Sequence, residues 1–394
     1  MREPLEQLSR RRFLGLTTCA VLPWLADARA AAGASIATKP KILLPPGTPA
    51  GVGAIIAATL QGKPGALNTD WFGTTLMQGL LQWSRRGACD ARAFAEAWLD
   101  GHIAEKGVSP YSGPQSRVFR AGGVPITTYV SHFGLAMPCY EMATWLGDTR
   151  ARKVCGDIGR IILDRTERNR LGLVDHFDGA QFAIPDTAYF VVTAMMIAAV
   201  MDADYRRVFR EQALLQLQLY TDTFLNPETG LARTIWFNRT GIGRTYWTRA
   251  SGWLLWAMTG ALRFLPETDP RRAEVLRNLE RLAQGLARVQ DRSGGFRVWL
   301  DDPKAPIETT GTAMFASGIH EAVRRGWLDR RYHAMVAPAW KLVKSNLMAD
   351  GRIRHAYTGW ALQAEERRLI MDQQDAQWVR GFILIVADEM TTVA

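Results

Sequence analysis

Six strongly apolar runs recur at regular intervals along the chain and constrain its fold more than any other feature. Most of them are apolar on nearly every face, which is typical of a helix buried on all sides. Few alternating, strand-like segments lie between them, so the pattern predicts helices. The runs are TTLMQGLLQW (74–83), GLAMPCYEMATWLGD (134–148), TAYFVVTAMMIAAVMD (187–202), GWLLWAMTGALRFLP (252–266), GTAMFASGIHEAVRRGWLD (311–329) and GFILIVADEM (381–390).

Amphipathic, charge-rich segments such as PRRAEVLRNLERLAQGLARVQ alternate with these runs. Buried helices that alternate with half-exposed ones indicate a repeated helical hairpin. Six hairpins closed into a ring form an all-α (α/α)6 barrel, which we expect over residues 67–394. The competing arrangement is an open helical solenoid. Closure is favoured because the terminal runs are as apolar as the middle ones, whereas the caps of a solenoid should be more polar.

The N-terminus carries the pattern of an export signal. SRRRFLGL (9–16) is a twin-arginine pattern, followed by a short apolar run and by ADARA, which offers small residues for cleavage near Ala30. The alternative is a merely basic N-terminus. The apolar run is too short to anchor the protein stably in a membrane. We therefore predict a signal peptide over 1–30, a linker over 31–66, use of the twin-arginine export machinery, and a periplasmic or secreted protein.

The charge of the chain suits an acidic ligand. The net charge is +10, and it falls to +8 when residues 1–30 are set aside. A basic protein attracts acidic ligands, although such a charge also serves solubility alone. No run of Lys and Arg with interleaved aromatic residues is present, so we expect no nucleic-acid partner.

The cysteines and the glycine motifs predict no cofactor. The chain after residue 30 contains Cys89, Cys139 and Cys155, and a sparse, odd set is not a disulfide framework. A single bridge between Cys139 and Cys155 would be compatible with an oxidising compartment. The sequence has no CxxC pair, HExxH, P-loop or GxGxxG motif, so we expect neither a metal nor a dinucleotide.

Polar residues begin several of the apolar runs. Asp186, in FAIPDTAYF, starts the third run, where apolar neighbours would raise its pKa and keep it able to donate a proton. The alternative is a helix N-cap. His176, in VDHFDG, lies on the preceding loop, where a single histidine is commonly structural. APIETTGTAMF places Glu308 at the start of the fifth run, which is typical of a polar cap followed by a glycine for close packing.

The segment RTYWTRASGW (244–253) precedes the fourth buried run and sets two arginines among three aromatic rings. Arg249 lies between Trp247 and Trp253 in this segment. Aromatic rings stack on sugar faces, and a planar guanidinium can bind a carboxylate through two hydrogen bonds. The segment therefore indicates a site for an acidic sugar.

Several segments resemble the unsaturated glycuronyl and rhamnogalacturonyl hydrolases of glycoside hydrolase families 88 and 105. YWTRASGW resembles their WGRGNGW element, and IPDTAYFVVTAMM resembles the stretch that carries their catalytic aspartate. ETTGTAMFASGIHEAVRRGWLDRRY, QDRSGGFRVWLDDP and RGFILIVADEM also resemble family segments, in the same order over residues 70–390. The resemblance implies the (α/α)6 barrel and a substrate with a 4,5-unsaturated uronic acid at its non-reducing end.

The resemblance also implies roles for individual residues. Asp186 would be the acid and base that hydrates the double bond, so that the two-carboxylate rule of ordinary glycosidases does not apply. Arg249 would bind the uronate carboxylate, and Trp247 and Trp253 would shape the sugar site by stacking. His176 matches a histidine that the family often places before its aspartate.

The sequence departs from the family pattern at several positions. The family's asparagine in WGRGNGW is Ser251, and the tryptophan before the aspartate is Ile184. A second family aspartate, expected before the second inner helix, is missing, because TTYVSHFGLAM offers only Thr128, Ser131 and His132 there. Arg233 stands in TGLARTIW, where the family commonly has a histidine. The missing carboxylate indicates either a different unsaturated substrate, with His132 or Arg233 reshaping the pocket, or a degenerate enzyme.

Taken together, these patterns predict an exported hydrolase that removes a 4,5-unsaturated uronic acid from acidic oligosaccharides produced by lyases. One alternative is a catalytically degenerate family member that binds acidic oligosaccharides without turnover. Another is a different (α/α)6-barrel carbohydrate enzyme, either a lyase or an epimerase.

Overall fold

The computed structural model describes residues 40–108, 117–356 and 377–391. Within these residues the chain forms twelve α-helices, as expected for an all-α protein. They are α1 (Ala50–Gln61), α2 (Trp71–Arg85), α3 (Arg92–Ala104), α4 (Ala136–Glu141), α5 (Thr149–Asp164), α6 (Pro185–Met201), α7 (Arg206–Phe224), α8 (Thr248–Phe264), α9 (Arg272–Val289), α10 (Thr309–Arg324), α11 (His333–Asn346) and α12 (Gln377–Thr391).

Six of these helices form a closed inner ring. Each coincides with one of the six apolar runs, and each packs on the next in the order α2, α4, α6, α8, α10 and α12, with α12 packing back on α2. Helix α6 shows why they are inner helices, since fifteen of its seventeen residues are buried. The (α/α)6 barrel is therefore confirmed, and the open solenoid is wrong.

The outer helices alternate with the inner ones and return the chain to the same end of the barrel. Helices α3, α5, α7, α9 and α11 each pack on the inner helix that precedes them or on the one that follows. Because an outer helix lies between each pair of consecutive inner helices and returns the chain, the six inner helices run parallel. Their N-termini consequently share one end of the barrel, which we call the mouth.

The segment predicted as a linker contributes the sixth outer helix. Helix α1 lies within residues 31–66 and packs on α12, with Val52 and Ile56 fully buried in the main core. The predicted signal peptide and residues 31–39 lie outside the described residues. In the part of the chain that the structure covers, no helix combines the length and the apolar character needed to cross a membrane.

Short antiparallel strands occupy the connections at the mouth. β1 (Val118–Ala121) pairs with β2 (Val124–Thr127), and β6 (Phe296–Arg297) pairs with β7 (Ile307–Glu308). β3 (Phe182–Ala183), β4 (Trp236–Phe237) and β5 (Gly241–Ile242) form a three-stranded sheet. The register of β3 on β4 pairs Ala183 with Trp236, which fixes the chain entering α6 beside the loop that leads to α8.

The second inner helix is irregular. It begins as a 3₁₀ turn, Val130–Leu135, continues as α4 and ends as a π turn, Met142–Leu146. Pro138 lies in the first turn of α4, where its missing N–H costs little. This irregular start places the side chains of the 3₁₀ turn, rather than those of a regular α-helix, at the mouth.

The three described cysteines are buried free thiols. Cys155 Sγ lies 3.5 Å from the carbonyl oxygen of Ala136. Burial raises the pKa of Cys139 well above its usual value, and the nearby Cys155 raises it further. The structure therefore does not form the bridge that the sequence would have allowed between Cys139 and Cys155.

Two glycines permit close packing where the ring closes. A Cβ atom on Gly381 of α12 would lie 2.5 Å from the backbone nitrogen of Leu76 in α2. A Cβ on Gly79 would lie 2.5 Å from Cβ of Leu384. Both distances are shorter than atoms tolerate, so the α2–α12 contact depends on the absence of side chains at these positions.

Replacing Gly381 with alanine should weaken this closing contact. We expect Gly381→Ala to lower the free energy of unfolding by about 1–3 kcal/mol, because the new methyl group forces the two helix backbones apart. Urea unfolding followed by circular dichroism measures the effect. Gly101→Ala on outer helix α3 is the control, since a Cβ there meets nothing within 4 Å. It should be neutral or slightly stabilising, and equal effects of the two changes would contradict the dependence of the α2–α12 contact on Gly381.

Candidate active site

Asp186 lies at the mouth, in the first turn of α6. Ile184 precedes the helix in an extended conformation, and Pro185 occupies the first helical position, where its fixed φ suits a helix start. Among the residues that the structure describes, no side chain caps this helix end. The interpretation of Asp186 as an N-cap is therefore wrong, and its carboxyl group is left for another role.

The surroundings of Asp186 keep it partly protonated at neutral pH. Its Oδ2 is buried and has no hydrogen-bond partner in the described part of the chain, although the residue as a whole remains partly exposed. Burial raises the pKa of Asp186 to about 7, and the positive charge of Arg249 opposes this rise. The indole N–H of Trp253 also lowers the pKa, although its Nε1 makes no hydrogen bond of ordinary geometry. The carboxyl group can thus both donate and accept a proton near pH 7.

Arg249 lies in the first turn of α8 and is only 2% exposed. Its guanidinium carbon lies 4.2 Å from the ring centroid of Trp247 and 4.8 Å from that of Trp378. Cation–π contacts with two indoles hold the guanidinium in place while keeping water away from its faces. When aromatic rings cover the faces of a guanidinium, its N–H groups still point outward in the guanidinium plane, where they can bind a carboxylate.

The structure brings Asp186 and Arg249 together. They begin adjacent inner helices, α6 and α8, which pack along their length, and the charge of Arg249 acts on the Asp186 carboxyl group. A carboxylic acid and a buried guanidinium thus lie in the same mouth. This is the arrangement that an acidic substrate with a protonation site would require.

Trp247 and Trp253 are more deeply buried than sugar-stacking residues should be. Each is only 1% exposed. Trp253 packs on Tyr189 and Phe190 of α6, with ring centroids 5.0 and 5.3 Å away. Trp247 packs under Arg249, as described above. Their burial favours support of the two charged groups over direct stacking on a sugar.

The half-exposed aromatic residue of this group is Trp71, the first residue of α2. Its ring centroid lies 4.7 Å from that of Trp378 and 6.1 Å from that of Trp253. Neither Trp71 nor Trp378 was identified from the sequence. Both lie in the first turn of an inner helix, three residues before an apolar run begins, and that position was the available signal.

His176 is held next to Asp186 but is itself buried. Its Nδ1 lies 2.8 Å from Oγ1 of Thr187, the residue after Asp186. Burial lowers the pKa of His176 to about 3, so the ring is neutral at physiological pH. The ring of Tyr129 packs edge-on at 5.2 Å. His176 can therefore orient this part of α6 without adding charge.

Ser251 and Arg233 mainly organise the loop before α8. The hydroxyl oxygen of Ser251 accepts a hydrogen bond from the backbone N–H of Ala232 at 3.0 Å. Arg233 is half-buried, donates to the carbonyl of Gly243 at 3.3 Å and lies over the ring of Tyr246 at 5.6 Å. The described contacts of both side chains are with this loop rather than with Asp186.

His132 lies in the 3₁₀ turn that begins the second inner helix and is fully buried. The ring of Tyr129 lies between the two histidines, 6.4 Å from His132 and 5.2 Å from His176. His132 is thereby connected to the Asp186 site through Tyr129, His176 and Thr187.

Glu308 is the polar cap that the sequence indicated. Its carboxylate accepts hydrogen bonds from the backbone N–H groups of Thr310 at 2.8 Å and Gly311 at 2.6 Å. A Cβ on Gly311 would lie 2.1 Å from Cγ2 of Thr248, so this glycine permits the close contact of α10 with α8. Glu308 is therefore occupied in stabilising the start of α10.

Neither a metal cluster nor cavity size identifies the site. Across residues 40–108, 117–356 and 377–391, no group of three or more His, Cys, Asp and Glu side chains is arranged to hold a metal ion. Two surface cavities of about 210 and 200 Å³ lie elsewhere, one lined by Arg206, Arg210 and Phe264 and the other by side chains of α7 and α9. The chemistry of the mouth, rather than its volume, singles it out.

Comparison with known proteins agrees with the fold. An unsaturated rhamnogalacturonyl hydrolase, YesR of Bacillus subtilis (strain 168), is 24% identical over 255 residues, which cover 62% of this chain and 72% of that protein. A possible family 105 member from Klebsiella pneumoniae has a TM-score of 0.72 at 20% identity, covering 87% of this chain and 92% of the other. The unsaturated glucuronyl hydrolase of Bacillus sp. GL1 has a TM-score of 0.62 at 15% identity, covering 86% and 94%.

The sequence profile of Glycosyl Hydrolase Family 88 matches residues 65–392, which include every inner helix and both charged residues of the mouth. That match covers most of the chain, and the fold agrees with it. The protein is therefore a glycoside hydrolase that belongs to glycosyl hydrolase family 88.

Proposed function

We propose that this protein is an exported hydrolase that removes a 4,5-unsaturated uronic acid from the non-reducing end of acidic oligosaccharides. The observation that carries the proposal is the position of Asp186 and Arg249 at the starts of adjacent inner helices, where the charge of Arg249 acts on the Asp186 carboxyl group. One is a carboxyl group whose pKa is raised to about 7 by burial, and the other is a buried guanidinium that acts on it from the neighbouring helix.

In the first step, Asp186 donates its proton to C4 of the substrate's double bond. The alkene is electron-rich because C5 also carries the ring oxygen, and positive charge develops at C5 and that oxygen as the C4–H bond forms. Asp186 becomes a carboxylate in the same step, and its negative charge stabilises the cation. A carboxyl group that is protonated up to about pH 7 is suited to this donation.

In the second step, water adds to C5 and gives a proton to the Asp186 carboxylate, which restores the acid. The product is a hemiketal at C5. The hemiketal opens to a ketone at C5, and the former ring oxygen stays on C1 as a hydroxyl group. C1 is then a hemiacetal, which breaks down to an aldehyde and releases the remaining sugar. One residue that alternates between acid and base therefore completes the cycle without a second catalytic carboxylate.

Arg249 would hold the uronate carboxylate, with its guanidinium fixed between Trp247 and Trp378. The N-termini of the six parallel inner helices add partial positive charge at the mouth. Trp71 supplies a half-exposed ring at the same end. Trp253 and His176 would position the acid and the first turn of α6, while Ser251 and Arg233 would shape the adjoining loop.

A binding protein without turnover is the second candidate. It is favoured by the absence of the family's second aspartate from TTYVSHFGLAM. The mechanism above uses only Asp186 for proton transfer, so that absence alone does not remove the chemistry. Loss of the substrate's ultraviolet absorbance, described next, distinguishes turnover from binding alone.

Hydration of the double bond should abolish the ultraviolet absorbance of an unsaturated uronate. We expect the protein to bleach oligosaccharides from lyase-digested pectin or glycosaminoglycan, and Asp186→Asn to lower the rate by at least about 10²–10⁴-fold, because the acid is lost. Binding of the same oligosaccharides by the Asn variant, measured by calorimetry, is the control for an intact site. Binding by the unaltered protein without any bleaching would favour the second candidate.

The pH profile should report the proton on Asp186. The acid form prevails below its pKa, so kcat/KM should decline as pH rises through about 7. Arg249→Met removes a charge that lowers this pKa, so the decline should move to higher pH, and KM should rise roughly 10- to 1000-fold with the loss of charged hydrogen bonds. Arg277→Met on outer helix α9 is the matched control and should change neither quantity. A decline at an unchanged pH in the Arg249 variant would contradict the assignment.

The proposed export depends on SRRRFLGL near the N-terminus. Replacing Arg10 and Arg11 together with lysine should leave the precursor inside the cell, because the twin-arginine machinery reads the paired arginines. Immunoblots of cytoplasmic and periplasmic fractions measure the distribution. Arg2→Lys, outside the pattern, should be exported normally, and export of the double variant would show that another route is used.

A further inference from the structure

Three buried polar side chains occupy one short segment of the mouth. Thr128, Ser131 and His132 are 1%, 2% and 0% exposed. Thr128 Oγ1, Ser131 Oγ and His132 Nε2 are all buried without a hydrogen-bond partner in the described part of the chain. Buried polar atoms are usually paired, and an unpaired one costs about 1–3 kcal/mol. Three within five residues therefore indicate a place built for a bound group.

The hydrogen bonds of His132 fix where its proton lies. The backbone N–H of Thr127 donates to His132 Nδ1 at 3.2 Å. Thr127 Oγ1 lies 2.9 Å from the same nitrogen and itself accepts from the backbone N–H of Tyr129 at 3.1 Å. Nδ1 is therefore an acceptor, and in the neutral ring the proton must be on Nε2. Burial lowers the pKa of His132 to about 4, which keeps the ring neutral.

The segment is wedged between two inner helices that flank the mouth. A Cβ on Gly134 would lie 2.9 Å from Thr74 Oγ1 of α2 and 3.3 Å from the ring of Phe190 of α6. Thr74 Oγ1 is a further buried oxygen without a partner among the described residues. Phe190 packs on Trp253, which acts on Asp186. The unpaired atoms therefore lie in the same part of the barrel as the proposed acid.

We infer that Thr128, Ser131 and His132 form a neutral hydrogen-bonding subsite for oxygen atoms on the uronate ring, with His132 Nε2–H as its fixed donor. This inference rests on the proposed function, because it takes the unsaturated uronate ring to be bound next to Asp186. His132 is a specificity-determining residue in this scheme and transfers no proton.

A neutral subsite sets the substrate class that it accepts. A carboxylate at this position would accept a hydrogen bond from a sugar hydroxyl and would repel a sulfate ester by like charge. An Nε2–H donor can serve either a hydroxyl oxygen or a sulfate oxygen, because both accept hydrogen bonds. The hydroxyl groups of Thr128 and Ser131 can also donate a hydrogen bond to either kind of oxygen. The subsite therefore admits unsaturated uronates whose ring hydroxyl carries a sulfate ester.

The test compares an unsaturated uronyl disaccharide with its counterpart that is O-sulfated on the uronate ring, using the loss of ultraviolet absorbance. We expect the protein to hydrolyse both. His132→Phe should lower kcat/KM for both by about 3- to 10-fold, as expected for one neutral hydrogen bond. His132→Gln, which keeps an N–H donor, should recover part of this loss. His132→Asp should lower kcat/KM for the sulfated substrate at least about 10-fold more than for the other.

His320→Phe is the matched control, because His320 is a buried histidine in the C-terminal half of α10, away from the mouth. It should leave the ratio of the two substrates unchanged. Nitrogen-15 NMR supplies a readout independent of activity: the His132 ring should show a protonated Nε2, and its signal should shift when an unsaturated disaccharide binds to the Asp186→Asn variant.

The outcomes separate this inference from the proposed function. If the unaltered protein bleaches neither substrate, the proposed function fails. If it bleaches the unsulfated substrate while His132→Phe and His132→Asp leave both kcat/KM values unchanged, only the subsite is refuted. A proton on Nδ1 instead of Nε2, or hydrolysis of the unsulfated substrate alone, would also refute the subsite.

Discussion

Closure of the inner ring is the constraint on which the rest of the structure depends. Helices α2 and α12 come from opposite ends of the described chain and meet so closely that Gly381 has no room for a side chain. The returning outer helices leave the six N-termini at one end of the barrel, and closure gathers them around a single mouth. The mouth therefore collects partial positive charge and the side chains of six first turns, including Asp186 and Arg249.

The chemistry of the mouth arises from two opposing electrostatic effects. Removal of water destabilises the charged form of Asp186, whereas Arg249 stabilises it. Desolvation is the larger effect, so the carboxyl group retains a proton near pH 7. The same burial makes His132 and His176 neutral. The site thus combines one fixed cation with one acid of intermediate pKa, which suits an acidic substrate that must be protonated.

Much of the fold was predictable because burial leaves a direct mark on sequence. A helix surrounded by other helices must be apolar on every face, and the six apolar runs matched the six inner helices. Asp186 and Arg249 were also predictable, since each begins such a run within a distinctive motif. Trp71 and Trp378 were missed because their contribution comes from contacts between distant segments. The N-cap interpretation of Asp186 was wrong because Pro185 already starts α6 and the carboxyl group lies one position further on.

The sequence by itself determined the helical period, the number of hairpins and the residue types at each helix start, because these follow from local chain geometry and from the periodicity of apolar residues. Only the tertiary structure decided that α1 completes the outer layer, that Ser251 binds the backbone of Ala232, and that Trp247 supports Arg249. It also decided the pKa of Asp186 and the proton position on His132. Desolvation and hydrogen bonding depend on which distant groups exclude water from a side chain, and these groups become neighbours only when the ring closes.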